Sequence, residues 1–170
     1  RGLGDVYKRQ MPDTEYSFPQ GEVLVHASAL DTINWKKKGP KKEKDISEMT
    51  GYFWKTKDVN AFGAYTPSLG YGLYHIAEEQ SAPGIKLWSY GVKEDKEWSL
   101  LSTNNRQTYA ELQGGPISDQ SIKLELQPGE YREHTEFWIP ADKRMDIYKL
   151  SVPEVALRPI EELPLFGWAR

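Results

Sequence analysis

Short runs of β-branched and aromatic residues, each bounded by a Gly, Pro, Asn or Asp turn signal, recur along this chain, and almost no stretch keeps a 3.6-residue apolar period. A helix must place apolar residues on one stripe, whereas a strand needs only alternation. The pattern predicts an all-β, antiparallel fold. Strands are expected at residues 22–27, 51–55, 61–65, 71–76, 84–91 and 107–113, with a hairpin loop at 66–70. Ile122-Lys-Leu-Glu-Leu126 alternates strictly and predicts a strand with one wet face. Gln127-Pro-Gly-Glu130 then predicts a type II turn with Gly129 at positive φ, and residues 131–139 the returning strand.

The composition removes several function classes. The 170 residues include 22 basic and 25 acidic side chains, 21 aromatics and no cysteine. A net charge of −3 gives no footprint for nucleic acid, and no apolar run approaches the roughly 18 residues of a membrane span. A chain without thiols has nothing to oxidise, so the cysteine count does not choose a compartment. Residues 1–10, Arg1 to Gln10, resemble a translated sequencing-adapter peptide that stops before Met11, and are set aside as a non-native scar. Without Arg1, Lys8, Arg9 and Asp5, 19 basic residues face 24 acidic ones, a net −5.

The lysines at 36, 37, 38, 41, 42 and 44 could grip phosphate. Gly39-Pro40 breaks the run and Glu43, Asp45 and Glu48 close it, which favours a solvated loop. From residue 151 onward, Pro153, Pro159 and Pro164 predict an extended tail that packs back through Leu163, Leu165, Phe166 and Trp168 or leads to a further domain.

No glycine-rich phosphate loop, His-Glu-x-x-His, Gly-x-Ser-x-Gly or reactive Cys is present, which leaves no motif for nucleotide, zinc-protease or serine-hydrolase chemistry. Three histidines, several carboxylates on expected strands and many aromatic rings remain. Those residue types suit sugars, whose C–H faces stack on rings and whose hydroxyls need fixed polar partners, although they also fill ordinary β cores.

An ordered series carries a family resemblance: Tyr52-Phe with Lys55, Phe62-Gly-Ala-Tyr65, Gly72-Leu-Tyr-His75, Pro83-Gly-Ile-Lys-Leu-Trp-Ser-Tyr-Gly91, Tyr109-Ala-Glu-Leu-Gln-Gly-Gly115, Gln127-Pro-Gly-Glu130 and Glu136-Phe-Trp-Ile-Pro140. It resembles an uncharacterised bacterial domain family that often precedes tetratricopeptide repeats and is similar to the galactose-mutarotase-like supersandwich. The resemblance covers about residues 20 to 142. It implies an antiparallel β supersandwich that binds carbohydrate on a concave face, with residues 11–150 forming its C-terminal part and a tetratricopeptide-repeat domain as a neighbour. No cofactor or metal is implied.

In mutarotase-like enzymes a Glu base and a His acid face each other across the sugar. The resemblance aligns Glu111 with the base and His75 with the acid, although Ala77, Glu78 and Glu79 stand where relatives carry further histidines. Read without it, Glu111 is a strand carboxylate paired with Arg106 or Lys123, and His75 a structural histidine. Trp88 and Tyr90 share one strand face and form a candidate stacking platform or part of the core; Arg106 and Gln113 are candidate hydroxyl partners. His26 reads as core or lumen-facing and His134 as surface. Three functions follow as expectations: carbohydrate recognition, an aldose 1-epimerase-like or glycoside-processing activity, and structural docking on neighbouring repeats.

Overall fold

The structure, a computed structural model, describes residues 11–92, 109–119 and 121–153. Among the described residues, nine strands form two antiparallel sheets. The four-stranded sheet runs β1 (Glu15–Ser17), β5 (Ala61–Thr66), β6 (Tyr71–Ala77), β9 (Glu136–Ala141). The five-stranded sheet runs β3 (Leu30–Asn34), β2 (Glu22–His26), β4 (Thr50–Trp54), β7 (Gly84–Ser89), β8 (Ala110–Gly115). The expected hairpin joins β5 to β6 through a loop whose Gly70 takes φ +68°, a conformation a side chain disfavours.

The inner faces of the two sheets meet in one aromatic core. Phe18 stacks on Trp54 and Phe62, with ring centroids 4.6 and 5.4 Å apart. Val23, Tyr52, Ile85, Leu87, Ala110 and Leu112 of the five-stranded sheet close on Phe62, Ala64 and Tyr16 of the other. Each such ring or branched chain contributes about 1.5–3 kcal/mol by leaving water. The Trp54 indole N–H donates to the Pro19 carbonyl at 3.0 Å, so its polar edge is satisfied inside the core.

The four-stranded sheet is covered on its other side as well. Tyr74 and Ile76 pack outward with Ala61 against Ile147, Met145, Leu150 and Val152 from the segment after β9. Gly63 lies opposite Tyr74, and a Cβ there would sit 2.3 Å from the Tyr74 ring, so the small residue makes room for the large one.

Two expectations are corrected. Residues 122–126 form no strand, and residues 131–135 do not pair with them; only β9 is regular, and it pairs with β6. The turn between them forms as predicted, with Gly129 at φ +88° and the Glu130 N–H donating to Gln127 O at 2.9 Å. Ile122, Leu124, Leu126 and Tyr131 stand 45, 43, 51 and 78% exposed, so the alternating segment lacks the apolar surface that would zip it into a sheet.

Alternation did not reveal β1 and β3, short edge strands with little apolar pattern. The lysine run begins as one helical turn, Trp35–Lys38, capped by Asn34 accepting from the Lys37 N–H, and Lys36, Lys37, Lys38, Lys41 and Lys44 are exposed. Glu43, however, is fully buried rather than solvated. The expected tail residues Leu163, Leu165, Phe166 and Trp168, and Arg106, lie outside the described residues.

Candidate functional site

Alternation along β7 and β8 sorts their side chains. Ile85, Leu87, Ala110 and Leu112 enter the core, which turns Lys86, Trp88, Glu111 and Gln113 to the outer face of the five-stranded sheet. Trp88 lies opposite Glu111 and Lys86 opposite Gln113. Tyr90, continuing the line of β7, and Tyr109, leading into β8, join Trp88 in a ring cluster with centroids 4.5, 6.1 and 5.2 Å apart. The Tyr109 hydroxyl donates to Glu111 Oε1 at 2.7 Å, and Gln113 donates to Oε2. These bonds hold the carboxylate in place beside the half-buried Trp88 and leave lone pairs for a further donor.

Next to this cluster, Lys86 lies over the Phe53 ring at 5.0 Å and the His26 ring packs 4.8 Å from the same phenyl group. Desolvation holds the Lys86 ammonium below its usual range, partly opposed by the nearby Glu111 charge. Phe53 and Lys86 line a cavity of about 450 Å³ with Gln113, Gly115, Ile117 and Ile122. Another cavity, of about 480 Å³, lies at the β1 edge beside Tyr16, Trp35 and Tyr148. On its wall Arg144 pairs with Glu15, and Asp146 caps the Tyr148 N–H.

His75 is elsewhere. It projects from β6 into the space between the sheets, 1% exposed, stacked on Phe62 at 4.4 Å and edged by Trp138. Its Nε2 is 3.1 Å from Glu136 Oε2, while His134 reaches the other carboxylate oxygen at 3.1 Å. Against an ionised carboxylate the His75 Nε2 carries a proton, and its Nδ1 is buried with no hydrogen-bond partner among the described residues. Hydrogen bonding from His75 holds the Glu136 carboxyl below its usual range despite burial. Among the described residues no three His, Asp or Glu side chains converge to hold a metal ion.

The structure therefore brings Trp88, Tyr90, Glu111 and Gln113 together and leaves His75 on the opposite side of the five-stranded sheet from Glu111. No single sugar ring reaches both. Neither does Glu111 pair with Lys123, whose side chain is exposed. Lys86 and Tyr109 were missed as site residues. The signal was present, because Lys86, Trp88 and Tyr90 occupy alternate positions of one strand.

A second buried carboxylate serves the fold. Glu43 accepts from Tyr16 of the four-stranded sheet and, at 2.7 Å, from Ser89 of the five-stranded sheet, and so ties the two together. Burial pushes its carboxyl above the usual range more than these bonds lower it.

Fold and site together define an antiparallel β-sandwich domain with one covered sheet and one sheet bearing an aromatic and polar outer face. Residues 6–141 match a family described as a domain of unknown function (DUF5107), and the chain belongs to that family. The fold is also similar to the crystal structure of a TPR-domain containing protein from Parabacteroides distasonis ATCC 8503. The two share 70% sequence identity over 95% of this chain, with a TM-score of 0.84. This chain spans 28% of that protein's length. Among the described residues no helix is long and apolar enough to cross a membrane.

Proposed function

We propose that the outer face of the five-stranded sheet binds carbohydrate. The observation that carries this reading is the Trp88, Tyr90 and Tyr109 cluster beside the fixed carboxylate of Glu111. A half-buried indole offers a flat face for sugar C–H groups, and Glu111 and Gln113 offer hydrogen-bond partners for hydroxyls beside it. The finer fold expectation, a galactose-mutarotase-like supersandwich, belongs to the same reading, since that architecture uses a sheet face in this way. Recognition is favoured over epimerisation, because a base at Glu111 has no His75 across the ligand. Calorimetric titration of the chain with a panel of neutral and acidic oligosaccharides tests the reading. Trp88→Ala and Glu111→Gln are each expected to weaken binding about tenfold or more, as truncated interface anchors cost over ~1 kcal/mol. Unchanged affinity in both variants would place any sugar elsewhere.

One observation favours a docking role as the second reading. Ile122, Leu124, Leu126 and Tyr131 form an exposed apolar series, and the Parabacteroides relative is a TPR-domain containing protein. Mixing this chain with the repeat portion of that relative, with Leu124→Glu as control, tests it. The role predicts a complex that the variant loses.

A further inference from the structure

The Lys86 ammonium is a partly buried cation whose charge is not matched where it sits. It belongs to no ion pair within 4.0 Å and no hydrogen bond among the described residues, and it lies over the Phe53 ring at 5.0 Å. Glu111 is close enough to raise its pKa but is turned to Tyr109 and Gln113. Asp119, the carboxylate on the cavity wall, accepts from the Ser121 N–H and hydroxyl, each at 2.8 Å, and is held below its usual range by those bonds. His26 and Lys55 are near enough to Asp119 to lower its pKa further. A desolvated ammonium without an acceptor costs free energy that a ligand carboxylate would recover, because charge-assisted bonds to N–H donors are the strong ones.

The surroundings say what else such a ligand needs. Phe53, Ile117 and Ile122 make part of the cavity wall apolar, suited to the C–H face of a pyranose ring. Gly115, at φ +149°, lines the same cavity at the end of β8, and a Cβ built there would meet nothing within 4 Å. Lys86 and Trp88 are two residues apart on one face of β7, so a ring stacked on Trp88 and a carboxylate at Lys86 belong to neighbouring positions of one chain of sugars.

We infer that the cavity at Lys86 is a carboxylate subsite, and that the carbohydrate taken by this face is an acidic one, a uronate-bearing oligosaccharide. The inference rests on the carbohydrate reading above and narrows it. The test is titration of the whole chain with galacturonate and glucuronate oligomers against the matching neutral galactose and glucose oligomers. Acidic oligomers are expected to bind about tenfold or more tighter, the scale of one hydrogen bond to a charged group. Lys86→Met should bring the affinity for acidic oligomers down to that for the matching neutral ones, and Lys86→Arg should restore part of the difference, with melting curves confirming that both variants fold. Equal affinity for acidic and neutral oligomers overturns the carboxylate subsite and leaves the carbohydrate reading standing. A preference unaffected by Lys86→Met also overturns the subsite. Failure of every oligosaccharide to bind overturns the carbohydrate reading and the subsite with it.

Discussion

The two sheets share one core yet differ in what lies on their far sides. The four-stranded sheet is packed on both faces, with Ile147, Met145, Leu150 and Val152 lying over Tyr74 and Ile76. The five-stranded sheet sends Val23, Tyr52, Leu87 and Leu112 into the core and turns Lys86, Trp88, Glu111 and Gln113, all half-buried, outward on its other face. Their strands read accordingly: β5 and β6 are apolar almost throughout, while β7 and β8 place Lys86, Glu111 and Gln113 between buried residues. A face sealed by the protein's own chain has its contacts spent on stability. A face that stays half-exposed among the described residues can hold polar groups at fixed positions for something else.

The largest expected effect separates the sheets directly. Tyr74→Ala should cost about 3–5 kcal/mol, as for other buried aromatics, whereas Trp88→Ala on the outer face should cost only about 1–2 kcal/mol. Urea denaturation of both variants measures the difference, and equal losses would erase the distinction. Gly114→Ala comes next. A Cβ at this inward position would lie 2.6 Å from His75 Nε2 and 3.1 Å from Glu136 Oε2, in the one place where β8 meets the other sheet through a histidine. Overpacking of this kind costs about 1–3 kcal/mol, read by the same denaturation curves.

The half-buried Glu136 and the buried Glu43 give effects of opposite sign with pH. Glu136 has a lowered folded pKa, so its contribution is present above the unfolded carboxylate value and is lost as pH falls through the folded one. Glu43 has a raised folded pKa, so its contribution is complete below the unfolded value and is lost as pH rises through the folded one. Melting temperature against pH should flatten on the acid side in Glu136→Gln and lose its decline with rising pH in Glu43→Gln. The smallest effect belongs to the outer face: Glu111→Gln should change stability by no more than ~0.5 kcal/mol, because the group is half-buried and fixed only by neighbours on its own face.

Much of this was legible in the chain and some was not, for local reasons. Strands β2 and β4 to β7 announce themselves through aromatic and β-branched runs, and Trp88, Tyr90, Glu111 and Gln113 emerge on one face because alternation is set by the pleat. His75 was misplaced because its position depends on which sheet β6 joins, and sheet membership is a long-range property absent from any local pattern. Glu43 looked solvated among six lysines; only the approach of Tyr16 and Ser89 from the two sheets shows why it is buried. Residues 122–126 have the alternation of a strand without a partner strand beside them, and alternation alone supplies no hydrogen bonds.

The measurement that bears most directly on the outer face as a binding face is an amide and indole chemical-shift map of the chain during titration with the oligosaccharide panel. The account predicts that shifts concentrate on the Trp88 indole N–H and the amides of Lys86, Tyr109, Glu111 and Gln113, with β5 and β6 unmoved. Shifts confined to the four-stranded sheet, or to the cavity beside Tyr16 and Tyr148, would contradict it.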